Sequence, residues 1–514
     1  MTSSILDGGA APALAAANLA ELLPRAARRT TGAAIHFINA DGTESALSYA
    51  ELLDSACRVL GGLRRAGVRT GERVVLHLRD NQDLLVAFWA CVLGGFVAVP
   101  TGAGPTGLAP ERGYRWLVAD RTHPDGPHWI GTVANLASGA PDHLWFAADA
   151  GDVVLLTKTA GSSGAPKPVL LDHGNVLSRS AATIQDNRLD ETAVTLNSMP
   201  LDHVGGLVMF HLRDVQLACT QVHAHRDWIL GDPARWLDIV DRFRVTVAWG
   251  TTSVLDAITS RATTGSWNLD CLDYVMNGGE PVKARTIRRF LTALAPFGLA
   301  STAVRPGWGM SETSAGVIDH RLDLDDLRHA DDRHVPVGTP HAGIKVRVVD
   351  EHGTVVPEHV EGRMQVSGAS VTSGYADGHP ANGTAFTPDG WLDTGDFAIV
   401  SEGVLTVTGN TAGALWIDDV LHHAHLIEST VAELPCAERG PVGACLVDGE
   451  LVVAYAGEYD EDAVRAAVLA RHGLHVHRVV VLPADTFPTT RTGKPRRAAL
   501  RDIISSKENR VRHH

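Results

Sequence analysis

Residues 152–175, DVVLLTKTAGSSGAPKPVLLDHGN, decide how the chain is read. An apolar, β-branched run ends at Lys158, gives way to a Thr/Gly/Ser-rich loop closing on Lys167, and resumes as VLLD. An uninterrupted apolar run bounded by glycine is a strand covered on both faces, as in a parallel sheet under helices. Small residues in the loop beyond it let backbone N–H groups approach an anion closely, with hydroxyls and an ammonium alongside. G-x-x-x-x-G-K-[ST] is absent, so this is no Walker A loop, and taken alone it is equally compatible with a Ser/Gly linker.

Outward from this segment the same pattern repeats. ERVVLHL (72–78), FVAVP (96–100), VTVAWG (245–250) and LDYVMNGG (272–279) are β-rich runs, each followed by an amphipathic stretch such as PVKARTIRRFLTAL. Strands alternating with helices predict mainly parallel sheets with helical covers. From about Val335 the pattern becomes strands and turns: GIKVRVVD, EGRMQVSG, GWLDTGD and GVLTVTGN. After Gly409 come a strand pair, the helix EDAVRAAVLARHG and the strand VHRVVVLP. The expected architecture is α/β. Residues 1–409 form an N-terminal core, with two α/β subdomains to about 334 and a small β-barrel over about 335–409. Residues 410–514 form a small, mobile α+β domain carrying Lys494.

Composition narrows the function. The 514 residues are 45% apolar and 20% charged, ordinary for a globular protein of several units. A formal net charge of −14 repels phosphate backbones and anionic lipid, which argues against nucleic-acid and membrane partners. Leu84 to Pro100 approaches spanning length, but Gly94-Gly95 interrupt it, predicting a buried helix that turns into a core strand. Six scattered cysteines without C-x-x-C, and an N-terminus without a basic leader and apolar core, predict a reduced, cytoplasmic protein. Six lysines stand among 45 basic residues, and Lys158, Lys167 and Lys494 fall in Gly/Ser/Thr-rich stretches where a compact charge suits phosphate.

Further along lie NGGEPV (277–282), RPGWGMSETSAG (305–316), GWLDTGD (390–396), TVTGN (406–410) and FPTTRTGKPRRAAL (487–500). With the 152–175 loop, their order and spacing resemble the adenylate-forming superfamily of acyl-CoA synthetases, peptide-synthetase adenylation domains and luciferases over nearly the whole chain. The resemblance implies ATP and Mg²⁺ as cofactors. It puts the β- and γ-phosphates on Thr159, Gly161, Ser162, Ser163, Gly164 and Lys167. Adenine falls between Trp308-Gly309 and Gly278, Gly279 and Glu280, the α-phosphate at Ser311, and Mg²⁺ at Glu312. Asp396, with Asn410 close by, falls at the ribose, and Lys494 at the carboxylate and α-phosphate. Taken singly, Trp308 reads as a core aromatic, Glu312 as a helix-start carboxylate and Asp396 as a turn residue.

Departures from the family pattern matter as much. Pro168 stands where the loop usually has glycine, and Asn410, Thr411, Ala412 and Gly413 replace the usual G-R-x-x-D/K hinge. Asp419 falls on the glycine that lines the pantetheine tunnel. His422, His423 and His425 point to different faces if on a strand, so packing rather than metal ligation is expected.

PLDHVGGLVMFH (200–211) resembles stand-alone amide bond synthetases of the marinacarboline type, which couple an aryl acid to an amine. The acid pocket is expected at His203, Val204, Gly205, Trp249, Gly250, Thr251, Met276 and Met310, which is apolar with few charges. Lys494, Asp202 and His203 are the expected catalytic residues, the last two as proton acceptors for an amine. Against this, Asp202 reads as a cap for the following segment and His203 as a wall of the pocket. The leading expectation is an AMP-forming ligase that activates a small-molecule carboxylic acid, expected to be aryl, as its acyl-adenylate and couples it to an amine to give an amide. The alternatives are an acid:thiol ligase loading coenzyme A or a separate carrier protein, and a degenerate nucleotide-binding homologue.

Overall fold

The computed structural model describes residues 3–102, 114–122, 127–159, 166–262, 265–327, 334–437, 440–489 and 495–511. The first sheet has six strands in the order His128–Gly131, Trp116–Ala119, Arg73–His77, Val97–Pro100, Val153–Lys158, Pro168–Asp172. All neighbours are parallel except the last pair, in which Pro168 to Asp172 runs back along Val153 to Lys158. Pro168 opens the returning strand, a position where the missing N–H breaks no central ladder. Asn81–Gly94 is a helix buried almost end to end, and Gly95 in the left-handed conformation (φ 68°) turns it into the strand from Val97.

The second sheet has nine strands with a parallel centre: Val304–Met310, Tyr274–Asn277, Val247–Gly250, Val194–Asn197, Thr220–Ala224 and Ile35–Ile38 lie side by side. One face packs on the first sheet's helices around Tyr49, Phe88, Trp89, Leu207 and Phe210. The other is covered by Ala234–Phe243, Thr252–Arg261 and Ala284–Leu294, around Trp236 and Phe290.

Residues expected as a small barrel form a five-stranded antiparallel sheet, with edges at Ile5–Asp7 and Val404–Asn410 that do not pair with each other among the described residues. The N-terminal edge strand carries no sequence signal of its own, being three residues long. Beyond Asn410 lie a hairpin (Ala414–Ile417 and Val420–His423) and a three-stranded sheet with helices. Asp418 and Asp419 occupy the hairpin turn with φ of 50° and 60°, so Asp419 keeps a backbone conformation that favours glycine. His423 Nε2 is held by Glu361 Oε1 at 2.7 Å, and Arg285 and Arg471 share Glu433. No group of metal-ligating side chains occurs among the described residues, and no helix there is long and apolar enough to cross a membrane.

Trp236 is fully buried, edge-on to Phe290 with ring centroids 6.3 Å apart. Trp236→Ala is expected to cost about 3–5 kcal/mol, and Leu144→Ala, at a residue 79% exposed, no more than about 0.5 kcal/mol. Denaturant unfolding of both variants checks the assignment of the core.

Candidate active site

The strand Val153–Lys158 and its return deliver Thr159 and Lys167 to the two sides of the loop mouth. Thr159 N donates to Lys167 O at 3.0 Å, and Lys167 N to Thr159 Oγ1 at 2.9 Å. Gly161, Ser162, Ser163 and Gly164, between them, lie outside the described residues, as does Lys494. Lys158 ends the strand, and its carbonyl accepts from Ser311 Oγ at 3.2 Å, which brings the GWGMSE turn against the loop.

Glu312 is 1% exposed. Its Oε1 accepts from the Tyr375 hydroxyl at 2.8 Å and lies 3.6 Å from Lys167 Nζ, which itself donates to Tyr375 Oη at 2.8 Å. The Lys167 ammonium also stands 4.5 Å from the Tyr375 ring centroid. Burial, then the Glu312 carboxylate, push the Tyr375 hydroxyl well above its usual range, so it stays protonated and donates. Tyr375 was missed in the sequence because a lone tyrosine in SGYADG carries no period or motif of its own. It arrives because Ala376 N donates to Pro168 O and Leu170 N to Gly374 O, which stitches residues 374–376 to the returning strand.

The turn after Trp308 is strained in a specific way. Ser314 and Ala315 both have positive φ, 61° and 117°, unusual for residues with a Cβ. Thr313 Oγ1 accepts from Met310 N, and Ser314 Oγ donates to Ser370 O, holding the turn from both sides. Gly309 is required, since a Cβ there would stand 2.1 Å from Ala315 O. Trp308 Nε1 donates to Asp396 Oδ2 at 2.9 Å, so the two residues expected at adenine and ribose meet. Asn410 is opposite Asp396 in the strand register, but its Oδ1 is committed to Gly413 N at 3.0 Å, capping the turn that replaces the family hinge.

Gly278 lies against Gly307, whose carbonyl would be 2.8 Å from an added Cβ, and Gly279 (φ 77°) faces Trp249. Glu280 directs its side chain to the start of the helix Thr252–Arg261. Its carboxylate accepts from Ser253 N at 3.0 Å and Ser253 Oγ at 2.9 Å, because the first N–H groups of helix Thr252–Arg261 need acceptors. Thr251 caps the same helix through Oγ1, which leaves its methyl toward Gly279. Gly250 O accepts from Asn277 Nδ2. Val204, Met276 and Trp249 belong to one apolar cluster, whereas Met310 sits with Trp308 on the side of the antiparallel sheet.

The 200–206 segment folds back on itself. A Cβ on Gly205 would be 2.5 Å from Met199 Sδ, and one on Gly206 2.4 Å from Pro200 O. Beyond them Gly205–Leu212 is a buried π-helix. His203, not Asp202, makes the cap: its Nδ1 accepts from Gly205 N at 3.0 Å. That bond uses the lone pair a base would need, so neutral His203 offers Nε2–H as a donor. His203 is open to solvent, yet burial among surrounding atoms lowers its pKa, with the Asp202 charge opposing.

Residues 23–113 and 125–376 match the model of the AMP-binding enzyme family. The chain belongs to that family. Nonribosomal peptide synthetase apvA of Aspergillus terreus (strain NIH 2624 / FGSC A1156) is 28% identical over 94% of this chain and 57% of its own length. The chain thus spans about half the length of the curated relatives it matches. The structure of McyG A-PCP complexed with phenylalanyl-adenylate is 29% identical, with TM-score 0.89 over 99% of this chain and 86% of that one. An adenylation domain of a keto acid-selecting NRPS module, bound to keto acyl adenylate, is 30% identical, with TM-score 0.77 over 93% and 100%. Activation of an acid as an acyl-adenylate is the chemistry such adenylation domains share, and ATP with Mg²⁺ as its usual partner is their cofactor.

The residues present fit that cofactor. Mg²⁺ is usually held by one or two carboxylates with phosphate oxygens and water completing its shell, and Glu312 is one carboxylate beside an ammonium suited to phosphate. Tyr375→Phe removes the hydroxyl between Lys167 and Glu312 and is expected to raise the KM for ATP about tenfold. Pyrophosphate release titrated against ATP measures it, and an unchanged ATP dependence would remove Tyr375 from the site.

Proposed function

We propose that this chain is an AMP-forming ligase that activates a flat, apolar carboxylic acid as its acyl-adenylate and couples it to an amine. A carboxylate oxygen of the acid attacks the α-phosphorus of ATP and pyrophosphate leaves. The amine then attacks the acyl carbon, AMP leaves, and the ammonium proton passes to Asp202. The nucleotide role rests on one observation, the buried meeting of Lys167, Tyr375 and Glu312 next to the Trp308–Asp396 pair. Lys167 and Thr159, with Gly161, Ser162, Ser163 and Gly164, would hold the outer phosphates and Ser311 the α-phosphate. Gly278, Gly279 and Trp308-Gly309 would flank adenine, Asp396 would hold ribose, and Glu312 would hold Mg²⁺, which screens phosphate charge when bound. Lys494 would neutralise charge developing between the carboxylate and the α-phosphate.

The apolar acid is supported by Val204, Met276 and Trp249 in one apolar cluster and by the Thr251 hydroxyl being turned into its helix. His203 Nε2–H would donate to an acyl-side acceptor. Alkylamines are largely protonated at neutral pH, with a pKa of roughly 10.4, and a half-buried carboxylate such as Asp202 attracts them and takes the proton. The resemblance of PLDHVGG to amide bond synthetases of the marinacarboline type supports this reading, as does the missing hinge residue at Gly413.

A second reading delivers the acyl group to a carrier-protein thiol. The peptide-synthetase relatives and the A-PCP structure favour it.

Lys494→Ala is expected to lower pyrophosphate release by orders of magnitude. Asp202→Asn is expected to keep acyl-adenylate formation and lose most amide synthesis, with recovery at higher pH. Pyrophosphate release over a panel of acids, repeated with amine, coenzyme A, a carrier protein or none, separates the readings by product mass. Thioester formation with no amide when amine competes would overturn amine coupling, and equal loss of both steps in Asp202→Asn would place Asp202 in the acid pocket.

A further inference from the structure

The strand Thr220–Ala224 buries Gln221 and His223 on one face, two residues apart, and His223 lies directly beside Asn197 in the parallel register. Polar residues at 0–1% exposure need partners, and here they find one another. Trp89 Nε1, which can only donate, gives its hydrogen to His211 Nε2 at 2.8 Å. His211 therefore carries its proton on Nδ1 and donates it to Gln221 Oε1 at 2.9 Å. Gln221 Oε1 also accepts from His223 Nε2 at 2.9 Å, while Gln221 Nε2 donates to Tyr49 Oη at 2.8 Å, and Tyr49 in turn to Cys219 O at 2.6 Å.

With its proton on Nε2, His223 presents a bare Nδ1 to Asn197, and Asn197 Nδ2 donates to it at 3.2 Å. The far end imposes the same polarity. Asn197 Oδ1 accepts from Met199 N at 2.9 Å and Nδ2 donates to Met199 O at 3.1 Å, so the amide grips both polar groups of one residue. Turning that amide over would set Oδ1 against the His223 lone pair and lose both Met199 bonds. Burial keeps both imidazoles neutral, pushing His211 down to about 4 and His223 well below its usual range. Met199 carries the sulfur against which Gly205 packs, and Pro200 O accepts from His203 N at 3.1 Å.

We propose that His223 is a positioning residue for the acyl site: it fixes the orientation of the Asn197 amide, which holds Met199 and thereby the segment bearing Asp202 and His203. His223 touches no reacting group, and it acts through Asn197. The proposal rests on the reading of Asp202 and His203 as acyl-site residues, and the experiment keeps the two apart.

His223→Leu removes the acceptor and His223→Gln restores one, since a glutamine oxygen can accept from Asn197 while its amide donates to Gln221. In the full chain, with benzoate, cinnamate and phenylpyruvate as probe acids, His223→Leu is expected to raise the acid KM about tenfold with the ATP KM within about twofold, and His223→Gln to recover most of that change. Hydrogen exchange gives a readout independent of turnover: His223→Leu should speed exchange at residues 199–206 and leave Tyr274–Asn277 unchanged. Equal changes in both KM values, exchange that rises throughout the sheet, or a glutamine variant no better than leucine overturns the proposal. Should His223→Leu not fold, Asn197→Ser reads the same split and the same local exchange, with the same overturning results. Asp202→Asn and His203→Ala test the underlying reading: if they leave acid and amine dependence untouched while His223→Leu loosens 199–206, that reading fails and the positioning stands.

Discussion

Glu312 is a carboxylate with almost no access to water, and the organisation of the site follows from the need to give its oxygens partners. An uncompensated buried charge costs several kcal/mol, so its partners have to be in place whenever the site exists. They come from far away in the chain: Tyr375 is 63 residues from Glu312, and Lys167 is 208 from Tyr375. The returning strand Pro168–Asp172 must pair with residues 374–376, and the turn at 310–315 must hold two positive φ angles, before the carboxylate is satisfied. Charge compensation therefore selects the same arrangement that brings an ammonium to the phosphate loop. Backbone strain at Ser314 and Ala315 persists because Gly309, Thr313 and Ser370 hold the turn around it.

What the sequence disclosed was what is local. The strands from Arg73, Val97, Val153, Val247 and Tyr274 announce themselves by apolar runs bounded by turn residues, and Trp308, Glu312 and Asp396 by motif. Tyr375 gave no signal because its role lies in two tertiary contacts and in no spacing. Ile5–Asp7 is too short for a period, and its pairing with Lys345 to Arg347 spans most of the chain. TQVHA alternates as a half-exposed strand would, yet both faces are covered, and the side chains of Tyr49, Trp89, His211 and Asn197 make that burial tolerable.

The nucleotide and acyl sides are not independent compartments. Tyr274–Asn277 and Val304–Met310 are adjacent parallel strands, and their carboxyl ends carry Gly278, Gly279 and Trp308. In open α/β sheets the crevice beyond the strand ends is where ligands bind. Here one glycine bears on each side, Gly278 against the backbone of Gly307 and Gly279 against Trp249. A side chain added at Gly278 would press on the backbone leading into Trp308, and one added at Gly279 would have to hold a φ of 77° beside Trp249.

Polarity links the remaining segment to the same logic. A neutral imidazole has one donor and one acceptor, so each histidine here transmits a direction along with a contact. In the core, Trp89 and Met199 set the direction from opposite ends and agree. At the cleft, Gly205 N–H occupies Nδ1 of His203 and turns that ring into a donor. On the proposed amine-coupling reading, proton acceptance would fall to Asp202, whose charge lies near the imidazole and opposes the effect of burial on it. On that reading the segment would divide its work between a fixed donor and a carboxylate, an arrangement that depends on Gly205, since a Cβ there would stand 2.5 Å from Met199 Sδ and 3.2 Å from His203 Nδ1.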